Sequence, residues 1–252
     1  MKKYVNLFVF VFMVGACFSQ GKAQTKSAVS YKNPVVDIAM PDPTVIKAAD
    51  GYFYMYATES TRNVPIMKSK DLVQWTYCNT AFTNKTRPRF EPKAGIWAPD
   101  INYINNKYVL YYAMSVWGGE QTCGIGVATA DSPQGPFTDH GKMFRSNEIG
   151  VQNSIDPSFL QYEGRNYLVW GSFRGIYVIE LTEDGLSLKP GAEKKRIAGT
   201  AFEAAYIHKH GDYYYMFASI GSCCEGIRST YKVVVGRSKK VWGPYKDKSG
   251  KI

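Results

Sequence analysis

The chain has 252 residues, with 31 Lys or Arg against 21 Asp or Glu and a formal charge of +10. Its basic residues are scattered, without the long runs or aromatic-basic alternation that nucleic acid requires, so no nucleic-acid partner is expected. The 19 tyrosines and 5 tryptophans suit β structure and sugar-binding surfaces.

The first element is a leader over residues 1–23. Lys2 and Lys3 precede an apolar run from Val5 to Ala16 that is too short to span a bilayer. Two exits are open: cleavage before Gln24, or a lipobox at Val14-Gly15-Ala16-Cys17 that leaves a lipid anchor on Cys17. The second is favoured because Cys17 directly follows the apolar run. Either exit implies export, to the periplasm, the medium or the outer membrane as a lipoprotein. Loss of Lys2, Lys3 and Lys22 lowers the charge to about +7, compatible with an acidic polysaccharide partner. Residues 24–252 are read as one domain, and a monomer is expected. Cys78, Cys123, Cys223 and Cys224 lack zinc-type spacing and are expected as free thiols, a Cys78–Cys123 bridge being the alternative.

Next comes a motif that recurs four times: DPTVIKAADGYFYMYAT (42–58), APDINYINNKYVLYYAM (98–114), DPSFLQYEGRNYLVWGS (156–172) and EAAYIHKHGDYYYMFAS (203–219). Each copy has an opening strand, a polar turn and an aromatic strand. The turns Asp50-Gly51, Asn105-Asn106, Glu163-Gly164 and His210-Gly211 are hairpin signals. A third β segment follows each hairpin, at 64–67, 124–128, 175–179 and 232–236. Outer segments are expected around Asp71–Trp75, Gly135–Phe137 and Gly243–Tyr245. A repeat of about fifty residues without a long amphipathic helix is the pattern of propeller blades. The fold class is therefore all-β, a propeller of which this chain encodes four blades.

Asp42, Asp156 and Glu203 each stand fifteen residues before the Ala or Gly that ends the aromatic strand; in the second copy Ala98 stands at that phase and Asp100 follows two residues later. Equivalent positions in a propeller are related by rotation, so these acids should converge at one end of the central axis. Converging carboxylates repel and are costly unless used. Three of them suit glycosidic bond hydrolysis by an acid, a base and a third group that modulates the acid. Phe202, Ala204 and Ala205 desolvate Glu203, making it the natural acid. Asp156 is the natural modulator and Asp42 the natural base.

At this point the chain resembles family 43 glycoside hydrolases, five-bladed propellers acting on arabinan and xylan. The resemblance rests on DPTVI (42–46), WAPDI (97–101), NSIDPSF (153–159), WGSF (170–173), FEAAYI (202–207) and GSCCEGIRSTYKVVVGRS (221–238), the last being similar to the endo-arabinanase branch. It implies the same roles for Asp42, Asp156 and Glu203 in an inverting reaction on α-1,5-linked arabinan or arabino-oligosaccharides. It also implies sugar contacts from Trp97, Asp100, Trp117, Gly118, Asn153 and Ser172. No cofactor is required for the chemistry. The family implies an axial calcium ion, but His140, His208 and His210 do not stand where its ligand would. Two departures stand out: Ala205 replaces a proline, and Arg174-Gly175 replaces Trp-Gly-Gly.

Two other readings compete with endo action. One is an exo-acting arabinofuranosidase or β-xylosidase; the other is an inactive fragment or sugar-binding propeller. The spacing places a fifth repeat shortly after Gly250, so four blades with an open wedge and an incomplete C-terminus are expected.

Overall fold

Each of the four repeats folds into its own antiparallel meander in the computed structural model, which describes residues 30–251. The leader, with Cys17, lies outside the described residues. The first sheet is β1 (Thr44–Lys47), β2 (Phe53–Tyr56), β3 (Pro65–Ser69) and β4 (Thr76–Thr80). The second is β5 (Gly95–Ile104), β6 (Lys107–Ser115), β7 (Gly124–Ala130) and β8 (Thr138–Arg145). The third is β9 (Ser158–Tyr162), β10 (Arg165–Trp170), β11 (Ile176–Glu180) and β12 (Lys195–Ala198). The fourth has three strands, β13 (Glu203–His210), β14 (Tyr213–Ile220) and β15 (Lys232–Ser238).

The inner hairpins form where the turn residues stand. Asn105 and Asn106 have φ of 47° and 63°, and Glu163 and Gly164 have 49° and 72°. Two consecutive positive φ values make a turn whose twist matches the flanking strands.

Three segments expected as outer strands do not form them. Asp71–Trp75 is a turn, not a strand. The Asp71 carboxylate accepts the N–H groups of Val73 and Gln74, and Leu72 has φ 66°; pairing resumes only at Thr76. Gly135–Phe137 is likewise a turn ahead of β8, and Gly243–Tyr245 leads only to a single bridge between Arg237 and Lys246. Local side-chain bonds to backbone outcompete the ladder there.

The sheets stack because strands two and three are apolar on both faces. Leu110 and Tyr112 of β6 pack with Tyr54, Tyr56 and Ile66 of the first sheet. Val109 and Tyr111 of the same strand pack with Leu168 and Trp170 of the third. On β10 the alternation repeats: Tyr167 and Val169 face Ile207 and Met216 of the fourth sheet. A period of two with both faces buried is what a stack of sheets needs. The outer faces of the end sheets stay open among the described residues, with Val45 and Tyr77 exposed on the first and Tyr206, Phe217, Val233 and Val235 on the fourth.

Between the first two blades, Arg87 crosses to Glu59 in a buried pair, and its guanidinium also donates to the Asn63 side chain and the Ala94 carbonyl. Burial raises the Glu59 carboxyl, but the Arg87 hydrogen bond, the N–H groups of Asn63 and Ile96 and the Arg87 charge outweigh it and hold it below its ordinary value. No helix among the described residues is long and apolar enough to cross a membrane. Cys78, Cys123, Cys223 and Cys224 are all free thiols.

Candidate active site

Three innermost strands are entered through a residue in left-handed backbone: Asp42 (φ 51°), Ala98 (40°) and Asp156 (59°). Each is followed by proline. In the fourth blade the left-handed residue is Ala204 (φ 52°), not Glu203. Glu203, in phase by sequence, thus stands one residue ahead of the left-handed position that Asp42 and Asp156 occupy. A bulge between Glu203 and Tyr206 absorbs the offset, as one between Trp97 and Asp100 does in the second blade. A bulge re-aims side chains that a regular strand would send to the other face. Four non-glycine residues in this conformation cost about 1–3 kcal/mol each, and such strain collects where geometry matters.

The segments carrying Asp156 and Glu203 are tied together by backbone. Gly171 N–H donates to the Ile155 carbonyl at 3.0 Å, and Ala204 N–H approaches the Gly171 carbonyl at 3.3 Å. Gly171 has φ 131°, and a β-carbon there would lie 2.2 Å from the Gly175 carbonyl oxygen, so only glycine fits. Asp42 is exposed, Asp156 half-buried and Glu203 buried at 9 %.

Burial pushes the Asp156 carboxyl well above the ordinary value, and the charge of Glu203 and then that of Asp42 push it further. Both charges act on Asp156, so the three acids lie within electrostatic reach of one another. Asp42 faces solvent, and its Oδ2 accepts the Thr58 hydroxyl at 2.6 Å.

A second recurrence accompanies the acids. Thr58, Ser115, Ser172 and Ser219 close the second strand of each blade. Thr58 Oγ1 donates to Asp42 and accepts Ala98 N–H at 2.6 Å, crossing from the first blade to the second. Ser172 Oγ donates to Glu203 Oε2 at 2.6 Å, crossing from the third to the fourth. Ser219 lies opposite Glu203 in the β13–β14 pair, and the Tyr231 hydroxyl approaches both side chains. Burial and that approach raise the Tyr231 phenol. Thr58 and Tyr231 are functional candidates that reading the acids alone misses; the repeated hydroxyl was the available signal for Thr58.

The expected sugar ligands divide. Trp97 is half-buried against Ala113, Cys123 and Ile155, and its ring lies 5.6 Å from that of Trp117, which is 78 % exposed. Gly118 continues the turn with φ 79° and open space around it. Trp117 and Gly118 stand at the surface, with Trp97 half-buried behind them.

Ser172 is corrected: it is 2 % exposed and its hydroxyl is committed to Glu203. Asn153 is corrected with it, since its amide is spent on Ser172 at 2.8 Å.

Asp100 is corrected too. Its Oδ1 takes Thr44 Oγ1 at 3.4 Å, and its Oδ2 takes Asn102 Nδ2 at 2.8 Å and Phe159 N–H at 2.7 Å. It is a strut joining the inner strands of three blades. Burial raises its carboxyl to about 6, against the pull of those three donors. A raised folded-state value means its contribution is full below about pH 4 and lost as pH rises through about 6. Asp100→Asn should flatten that part of the stability–pH curve. Asp100→Ala should cost about 2–4 kcal/mol by denaturant unfolding, because Phe159 N–H loses its acceptor.

Among the described residues no three His, Cys, Asp or Glu side chains are grouped to hold a metal ion. His140 instead bonds Thr129 Oγ1.

The family model described as "Glycosyl hydrolases family 43" matches residues 31–252. An extracellular endo-α-(1→5)-L-arabinanase of Bacillus subtilis is 38 % identical over 224 residues, 83 % of this chain and 68 % of the relative. An extracellular exo-α-(1→5)-L-arabinofuranosidase of Cellvibrio japonicus is 34 % identical over 238 residues, 83 % of this chain and 67 % of the relative. Among solved structures, a Cellvibrio cellulosa α-L-arabinanase in complex with arabinohexaose superposes with a TM-score of 0.75 at 32 % identity, covering 85 % of this chain and 75 % of that one. By the family model and by these relatives, the chain belongs to glycosyl hydrolase family 43.

Proposed function

We propose that the protein hydrolyses α-1,5-linked L-arabinan by an inverting, endo-acting mechanism. The observation that carries this is the convergence of three carboxyls in graded environments, with Asp156 pressed toward protonation by both partners. Asp42 is the base. Thr58 occupies its Oδ2, leaving Oδ1 to take a proton from water as the water oxygen attacks C1. Glu203 is the acid, giving its proton to the departing O5 of the next arabinose as the C1–O5 bond breaks. Asp156 loads the pair with the proton that Glu203 passes on, which microscopic coupling of two close carboxyls allows. Trp97 and Trp117 offer apolar faces to sugar rings.

The relatives include both endo- and exo-acting enzymes, so chain-length products separate the two readings. Incubation with linear α-1,5-arabinan should yield short oligomers before arabinose. Proton NMR of the first turnovers should show the β-anomer, opposite to the substrate's linkage. An α-anomer at first turnover sinks the inverting assignment; arabinose alone assigns exo action.

Two relatives are named extracellular. Together with the Lys2-Lys3 leader this supports action outside the cytoplasm. Mass spectrometry of the mature N-terminus separates cleavage before Gln24 from lipidation at Cys17.

A further inference from the structure

The hydrogen bonds behind Glu203 have a direction that the geometry determines. Asn153 Nδ2 lies 3.2 Å from the Ser172 carbonyl oxygen and 2.8 Å from Ser172 Oγ. A carbonyl only accepts, so the Asn153 atom facing it is the NH₂, and that group spends its other hydrogen on Ser172 Oγ. With an incoming donor fixed, the Ser172 hydroxyl directs its own hydrogen onward, to Glu203 Oε2 at 2.6 Å. Asn153 is itself held: its backbone has φ 52° and its N–H donates to the Glu120 carbonyl at 2.8 Å. The Glu120 side chain is in turn paired with Arg174.

We propose that Asn153 and Ser172 set the face of Glu203 from which the proton leaves, Oε2 being held as an acceptor and Oε1 delivering the proton. This rests on the assignment of Glu203 as the acid. The hydroxyl of Ser172 is 2 % exposed and cannot turn away to water. The proton therefore passes from Oε1 to the leaving oxygen, and the negative charge that remains on Glu203 is met by a donor already in place. A hydrogen bond to a carboxylate is roughly twice as strong as one to a neutral carboxyl. The relay therefore favours the transition state over the ground state. Neither residue touches the reacting atoms; both are positioning residues. The other groups facing Glu203 are the Asp156 carboxyl, charged Asp42 beyond it, and the Tyr231 phenol and Cys223 thiol from the 221–231 segment. Behind Tyr231 stands only the rotatable hydroxyl of Ser219, which fixes no direction; behind Ser172 stands the oriented amide of Asn153.

The test is Ser172→Ala, with Ser172→Thr as the variant that keeps the hydroxyl and Asn153→Asp as the variant that reverses the relay by accepting the Ser172 hydrogen. Ser172→Ala and Asn153→Asp should lower kcat on arabinan about 10–100-fold with KM nearly unchanged. An aryl arabinofuranoside with a leaving group that needs no proton should lose less than about threefold. The alkaline limb of the pH profile should move up by about one unit, since the ionised form loses its donor. Ser172→Thr should restore all three. Equal losses on both substrates, or a limb that stays in place, overturns the proposal. Carbon-13 NMR titration of the carboxyl pair decides independently of turnover. In Ser172→Ala the pair should titrate about one unit higher, and no movement overturns the relay even if the wild type cleaves neither substrate.

Discussion

Glu203→Gln is expected to lower kcat on α-1,5-arabinan by about a thousandfold while an aryl arabinofuranoside with a strongly acidic phenol loses less than about tenfold. Glutamine keeps the volume and still accepts the Ser172 hydroxyl on its carbonyl, so Oε2 is the oxygen it reproduces; what it lacks is a proton to release. A phenol of low pKa leaves as an anion and does not need that proton. Asp42→Asn gives the contrasting pattern. Both substrates require an activated water, so both should fall together, by about the same thousandfold. The pair of profiles is the measurement. Equal losses from Glu203→Gln would remove it from the acid role, and a substrate-selective loss from Asp42→Asn would remove Asp42 from the base role.

The second large effect is on stability. Arg87→Met is expected to cost about 3–5 kcal/mol, because it leaves Glu59 charged and enclosed beside two backbone N–H groups. For a chain of this size that is a fall of roughly 10 °C in melting temperature. The pH dependence should change sign. In the wild type, Glu59 is held below its ordinary value, so its contribution is present above about pH 4.5 and lost as pH falls through the depressed value. Without Arg87 the burial effect is left less opposed. The folded-state value then rises, and stability should fall as pH rises through it. Thermal melts of both proteins between about pH 3 and 7 measure the inversion; parallel curves would show that the pair does not carry the first two blades' junction. Glu59→Gln with Arg87→Met should recover part of the loss, since no charge is then enclosed.

These two predictions draw on different depths of legibility. The four meanders, their order and their hairpins were readable because they depend on local rules. Alternating apolar residues such as Tyr54 and Tyr56 or Leu168 and Trp170 bury one face per neighbour, and Asn105-Asn106 or Glu163-Gly164 turn the chain where they stand. Even the outer strands were misplaced only where a side chain such as Asp71 captured backbone N–H groups in place of a ladder partner. The acids Asp42 and Asp156 were readable for the same reason: each precedes a proline at the mouth of an inner strand, and backbone conformation follows from that pair of residues.

Glu203 shows where this reading stops. Spacing alone placed it in phase with the two aspartates, and the offset of one residue is created by a bulge opposite Ser219, with Ala204 taking the left-handed conformation that Asp42 and Asp156 take elsewhere. Asp100, Asn153 and Ser172 looked like sugar ligands because polar residues at strand ends line clefts, but each is spent on a neighbour from another part of the chain. Composition and order thus determined the blades and the acids they bring. The tertiary structure alone decided which polar groups face solvent and which face each other. A hydrogen bond across a seam, such as Ser172 to Glu203, depends on a separation of a few tenths of an ångström between residues 31 apart in sequence, and no local rule sets that distance.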